Sequence, residues 1–269
     1  MALPSGAKFT MMPMLRLIGA KTLTGGVAVT VIAAGVVAWW WTVGVDLGGW
    51  VNGPPPHRWA SLVRQERRWQ AEGLRRPVLH EYVPLEAVSL ELLVAIAVSE
   101  DARFLDHGAV DKAALWDAAK EWWAGGRLRG ASTISQQLAR VLFLTPERSL
   151  PRKLQEWKLA WWLERKLGKR RVLELYVNVV EFGPGVFGAE AAARRYFNVS
   201  AACLDAWQAA ALAAAVPAPG LDHPAAGSER GRWRQRLIAE RAAQASRLRQ
   251  RLAALAAPSP PCHPTPRPA

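Results

Sequence analysis

Apolar residues recur at helical spacing through most of the chain, as at Leu90, Leu93, Ile96 and Ala97, where positions three and four apart share one face. The same period predicts helices over 112–124, 133–144, 150–168, 170–178, 187–196, 204–216 and 229–255. No run alternates as a half-buried strand would, so the fold is predicted to be all-α. Upstream, the pattern becomes a continuous apolar stretch. Lys21 and Asp46 are separated by 24 uncharged residues, and 25–45 is long enough to cross the hydrocarbon core, about 30 Å thick, as one transmembrane helix. Lys8, Arg16 and Lys21 precede it with no acid, which places the N-terminus in the cytoplasm and the chain after Asp46 outside. A cleaved signal peptide is the competing reading, because Val36-Val37-Ala38 offers small residues; the length and the Trp39-Trp40-Trp41 run favour an anchor. The expected organisation is a cytoplasmic segment 1–24, the anchor 25–45, a Gly/Pro linker 46–57, a working domain 58–256 and a disordered proline-rich tail 257–269.

Composition sharpens this picture. A hydrophobic content of 51% excludes a disordered or collagen-like chain. The net charge of +13 points to an anionic partner: nucleic acid, a phosphate-bearing substrate or an acidic membrane. Tryptophan, at 14 residues against 6 Phe and 3 Tyr, suits places where an apolar body meets water. Cys203 and Cys262 are too few for a disulfide scaffold or an all-cysteine zinc site, and they receive no role. The last predicted helix carries Arg230, Arg232, Arg234, Arg236, Arg241, Arg247, Arg249 and Arg251, either as a solvated basic face or as a contact for anionic lipid.

Three segments carry residue types suited to chemistry. Glu100 shares a helical face with Leu93, Ile96 and Phe104, and desolvation there penalises the charged form, as in a group that exchanges protons with a substrate. The alternative is a helix-end acid paired with Arg103. In Gly130-Ala131-Ser132-Thr133-Ile134-Ser135-Gln136-Gln137, Thr133 and Gln136 stand at capping-box spacing. The helix start, with Ser132, Thr133, Gln137 and Arg140, offers a seat for phosphate oxygens; plain capping is the bland reading. Ser149 and Pro151 open the next helix, where Arg152 and Glu156 share a face beside Lys153. That spacing gives an ordinary ion pair, or a diphosphate grip with an acid beside it. Glu181 to Gly188 is a glycine-rich bend that taken alone reads as a loop.

In this order the segments resemble the transglycosylase family that polymerises peptidoglycan from lipid II, and specifically its short, monofunctional, membrane-anchored members. Five blocks carry the resemblance: Glu100 to Phe104 with His107, Gly130 to Leu138, Arg152 to Glu156, Val172 to Asn178, and Glu181 to Gly188 running into Arg195-Tyr196-Phe197. The resemblance implies a lysozyme-like glycosyltransferase domain after one transmembrane helix, at the inner membrane, with its catalytic part on the extracytoplasmic (periplasmic) side. By motif position Glu100 is the base that deprotonates the acceptor 4-hydroxyl, and Glu156 is the second catalytic acid. Asp101, Ser132, Thr133, Gln137, Arg140, Arg152 and Lys153 fall at substrate-binding positions. The product is a β-1,4 bond formed with inversion, and undecaprenyl diphosphate leaves. No organic cofactor is implied, but a divalent cation (Mg or Mn) at the donor diphosphate is, with its ligands unassigned. The implied partners are lipid II, lipid-linked glycan, membrane lipids and other cell-wall synthesis or division proteins, and not nucleic acid. Two departures stand out: Arg140-Val141 replaces the usual Lys-Asn, and in His107-Gly108-Ala109-Val110-Asp111 the glycine is displaced by one.

A lysozyme-like hydrolase needs no diphosphate site, so the basic, hydroxyl-rich segments favour transfer over hydrolysis. A penicillin-binding domain has no room, and a nucleic-acid-binding anchor needs the last basic helix in the cytoplasm. Trp116, Trp122 and Trp123, with Leu128 between Arg127 and Arg129, read as an apolar and basic patch that leans on the bilayer. Packing of these tryptophans in the core is the alternative.

Overall fold

The computed structural model describes residues 35, 48–51, 53–55, 58–126, 132–147 and 149–257. Nearly all of the expected anchor, the segment before it and the tail from 258 lie outside the described residues. Among the described residues no helix is long and apolar enough to cross a membrane. The chain divides after Val45 into two compact units, and everything below concerns the second, Asp46–Ala269.

Its helices are α1 (Ala60–Ala71), α2 (Leu90–Glu100), α3 (Lys112–Trp123), α4 (Ile134–Phe143), α5 (Leu150–Val179), α6 (Ala189–Phe197), α7 (Ala206–Ala215), α8 (Glu229–Gln244) and α9 (Ser246–Ala256). Single turns at Gly48–Val51 and Pro219–Asp222 supplement them. The expectation of an all-α fold is corrected by a small sheet of β1 (Leu79–His80), β2 (Glu181–Gly183) and β3 (Val186–Phe187), in the order β1-β3-β2. β1 runs parallel to β3 and β2 antiparallel to it. Strands of two or three residues are too short to show alternation, and both residues of β3 are buried.

Ser89 opens α2: its hydroxyl accepts from the Glu91 amide at 3.1 Å and donates to the Leu204 carbonyl at 2.8 Å. Leu92 to Ala97 are buried without interruption, so α2 is a central helix apolar all round rather than a surface one. It packs against α7, α8 and α9, while α4 lies along α5. The alanines from Ala209 to Ala215 let α7 approach closely, because small side chains shorten the distance between packed helices. The two helices predicted at 150–168 and 170–178 are the two parts of α5, which kinks at Gly168 with φ of +72°. Predicted as one helix, 229–255 instead breaks at Ala245 into α8 and α9.

Candidate active site

Glu100 is the last residue of α2, and its side chain is 11% exposed. Arg103 is not its partner: that guanidinium makes two 3.1 Å hydrogen bonds to Asp111 instead. The carboxylate of Glu100 accepts from Ser99 Oγ at 2.9 Å and from Gln137 Nε2 at 3.1 Å. Tyr176 supports this from behind, its hydroxyl donating to Gln137 Oε1 at 2.9 Å. Burial pushes the Tyr176 phenol well above its ordinary range, so it stays a donor. From α8, Arg234 brings a guanidinium nitrogen to 3.8 Å from Glu100 Oε1 while donating to Ser99 Oγ and the Ala214 carbonyl at 3.3 Å each. Sequence reasoning missed Ser99, Tyr176 and Arg234 as site residues. Tyr176 lies inside one of the quoted blocks, but nothing in its periodicity distinguishes it from a core residue.

Asp101 ties the end of α2 to the start of α4. One oxygen meets His107 Nε2 at 2.7 Å and the other accepts from the Ile134 amide at 3.0 Å. The second ring nitrogen of His107 faces the Gly108 carbonyl. Burial opposes a charge on this imidazole, but acceptors at both nitrogens outweigh it and raise its pKa above the ordinary value. Gly108 has no positive φ, and a Cβ there would meet Glu164 only at 3.8 Å. The displaced glycine is therefore no obstacle to the turn that delivers His107.

Capping at Thr133 is as the spacing predicts, with Gln136 completing a reciprocal box. Its hydroxyl also donates to the Ala109 carbonyl at 2.6 Å, so it is committed to the fold. Glu100, Asp101, Arg103, Asp111, Ser132 and Thr133 line a cavity of about 180 Å³. Ser132 joins this cavity to a second cluster: Lys153 Nζ donates to Ser132 Oγ at 3.0 Å and also to Glu156, and Arg152 reaches Glu156 at 2.8 Å. Glu156 is 1% exposed, and Arg152 Nε is buried without a hydrogen-bond partner. Arg140 is exposed and within electrostatic reach of Tyr176, but no hydrogen bond among the described residues brings it to either cluster. Gly130 and Ala131 lie outside the described residues.

The remaining blocks are scaffold. Val172 to Val179 is buried throughout, and Asn178 exchanges hydrogen bonds with both backbone groups of Val83 at 2.9 and 2.8 Å. The glycine-rich bend forms β2 and β3. Gly188 there has φ of +84°, and a Cβ would sit 2.6 Å from the Asn178 carbonyl. Away from both clusters, Trp116 and Trp123 of α3 are 64% and 87% exposed, which removes core packing as the reading for these two. Leu150 at the start of α5 is 83% exposed. The Trp122 side chain and 127–129 lie outside the described residues.

A family model described as Transglycosylase matches residues 69–243. The biosynthetic peptidoglycan transglycosylase of Dechloromonas aromatica is 45% identical over 181 residues, covering 66% of this chain and 77% of the relative. Proteins of the same description from Bordetella pertussis and Vibrio parahaemolyticus are 45% and 48% identical over 170 and 140 residues, covering 60% and 52% of this chain and 69% and 62% of their own. The chain belongs to the transglycosylase family. It is a glycosyltransferase enzyme of the kind those relatives' names describe.

Proposed function

We propose that the enzyme polymerises lipid II into β-1,4-linked glycan at the outer face of the cytoplasmic membrane, releasing undecaprenyl diphosphate with inversion at the donor anomeric carbon. The observation that carries this reading is a small cavity lined by a restrained carboxylate, Glu100, and by Ser132, whose hydroxyl is held by Lys153 of the cationic cluster. Glu100 takes the proton of the acceptor 4-hydroxyl as that oxygen attacks. Gln137 and Ser99 hold the carboxylate in place, so no reorganisation is needed at that moment. The departing diphosphate gathers negative charge, which Arg152 and Lys153 neutralise from fixed positions with the Ser132 hydroxyl beside them. Glu156 keeps both cations aimed into the site.

A divalent ion fits this arrangement poorly. Both oxygens of Glu156 already carry a cation. The mechanism therefore rests on the two basic side chains.

The expected anchor and an exposed apolar surface support the extracytoplasmic setting. The apolar anchor read in 25–45 tethers the enzyme, and the exposed Trp116, Trp123 and Leu150 suit a bilayer interface where a polyprenyl tail stays in the membrane. The test is incubation of the purified full-length protein with labelled lipid II. A ladder of polymer that is lost when Arg152 is changed to Ala supports the reading. Release of new reducing ends from purified sacculi without polymerisation overturns it in favour of hydrolysis.

A further inference from the structure

The break between α8 and α9 at Ala245 opens a second cavity, of about 550 Å³, against the last turns of α2. That volume is within the range of small-ligand sites. Its charge is unbalanced. Arg241, Arg247 and Arg251 line it against a single carboxylate, Asp106. Arg251 is spent on Asp106 and on the Leu105 carbonyl, which it meets at 2.8 Å. Neighbouring Arg249 turns the other way, to Glu91 at 2.9 Å. Arg241 and Arg247 are exposed, and no hydrogen bond or ion pair holds either one among the described residues. Arg247 lies within electrostatic reach of Asp106 but, like Arg241, makes no hydrogen bond that occupies its fork of donors, an arrangement that suits a carboxylate. The rest of the lining mixes apolar side chains, Val98, Ala102, Ala245 and Leu248, with the polar Gln244 and Ser246. A ligand that fits is an acid on a short stem that carries both apolar and hydrogen-bonding groups.

Position narrows the source. Ala102 lines this cavity and also the smaller one that contains Glu100. The two cavities therefore share a wall residue two positions from Glu100. A lipid headgroup is the competing occupant, since Trp233, 56% exposed, stands on α8 with Arg241, but no exposed tryptophan lines the cavity.

We propose that the cavity between α2, α8 and α9 is a subsite for the carboxylate-bearing peptide attached to the glycan substrate, with Arg241 and Arg247 as its recognising groups. This rests on the reading that the substrate is a peptidoglycan precursor, but its test needs no turnover. Full-length protein is titrated with a soluble disaccharide-peptide bearing free carboxylates and with the same compound fully amidated. The parent protein is expected to bind the free acid about 10-fold tighter, the scale of one charged hydrogen-bonded contact. The R241Q/R247Q pair is expected to bind both forms alike, and R241K/R247K to keep part of the preference; matching thermal melts show that each variant is folded. A parent that binds both compounds equally, or neither, overturns the proposal, as does a Gln pair that keeps the preference. If the Gln pair keeps the preference yet loses binding of a soluble short-chain phosphatidylglycerol that the parent binds, the cavity is a headgroup site and the peptide assignment is wrong. Failure of lipid II polymerisation with the carboxylate preference intact would instead count against the proposed reaction alone.

Discussion

At Glu100, replacing one oxygen by nitrogen separates chemistry from packing. Glu100→Gln keeps the shape and can still accept from Gln137, with its amide NH2 turned to the rotatable Ser99 hydroxyl, but cannot take a proton. Polymerisation should fall by at least about 100-fold, the scale of a lost general base, with an unchanged melting temperature. A variant that polymerises at the parental rate would make Glu100 a structural acid. Tyr176→Phe probes the group behind it. The change leaves Gln137 Oε1 buried without its donor, a loss of about 1–3 kcal/mol shared between stability and the positioning of Glu100. Turnover should drop with little change in KM, because the substrate does not touch the phenol. A selective rise in KM would move Tyr176 into the binding surface.

Between elements, the joint of α2 with α4 is made by polar side chains whose energetics are separable. Thr133→Ala removes both the cap of α4 and the bond to Ala109, and should destabilise the domain by about 1–2 kcal/mol in a denaturant titration. Near-parental activity in the surviving folded fraction would show that the hydroxyl serves the helix and not the phosphate. His107 makes the same joint sensitive to pH. Its folded pKa is raised above the ordinary 6.5, so the stability it contributes is fully present below that value and is lost as pH climbs through the raised one. Melting temperatures measured from about pH 5 to about pH 9 should decline on the alkaline side in the parent, and the decline should be shallower in His107→Gln. Parallel curves would assign the pH response elsewhere.

For the molecule as a whole, the proposed membrane setting assigns the exposed Trp116 and Trp123 a bilayer contact independent of any anchor. A chain truncated before about residue 58 should still sediment with anionic liposomes. Changing both tryptophans to Ala should reduce that binding severalfold, and a truncated domain that never sediments rules the surface out. What the sequence by itself determined is everything written in local spacing: the helical periods, the Thr133–Gln136 box, the Ser149–Pro151 helix start, the Arg152–Glu156 pair and the ordered blocks that carry the family resemblance. These depend on residues within one or two turns of each other, so the pattern is legible without the fold. The small sheet was not, because strands of two or three residues are too short to show alternation. Nor was the company Glu100 keeps. Gln137, Tyr176 and Arg234 are 37, 76 and 134 positions away, and only the packing of α4, α5 and α8 around α2 decides which polar group of each helix points inward. The same packing separates the arginines of α8 and α9, read along the chain as one basic face, into Arg234 at Glu100, Arg249 and Arg251 in ion pairs, and Arg241 and Arg247 at an open cavity. Charge is a property of the residue, but whether it is spent on a neighbour or left for a ligand is settled only when the helices meet.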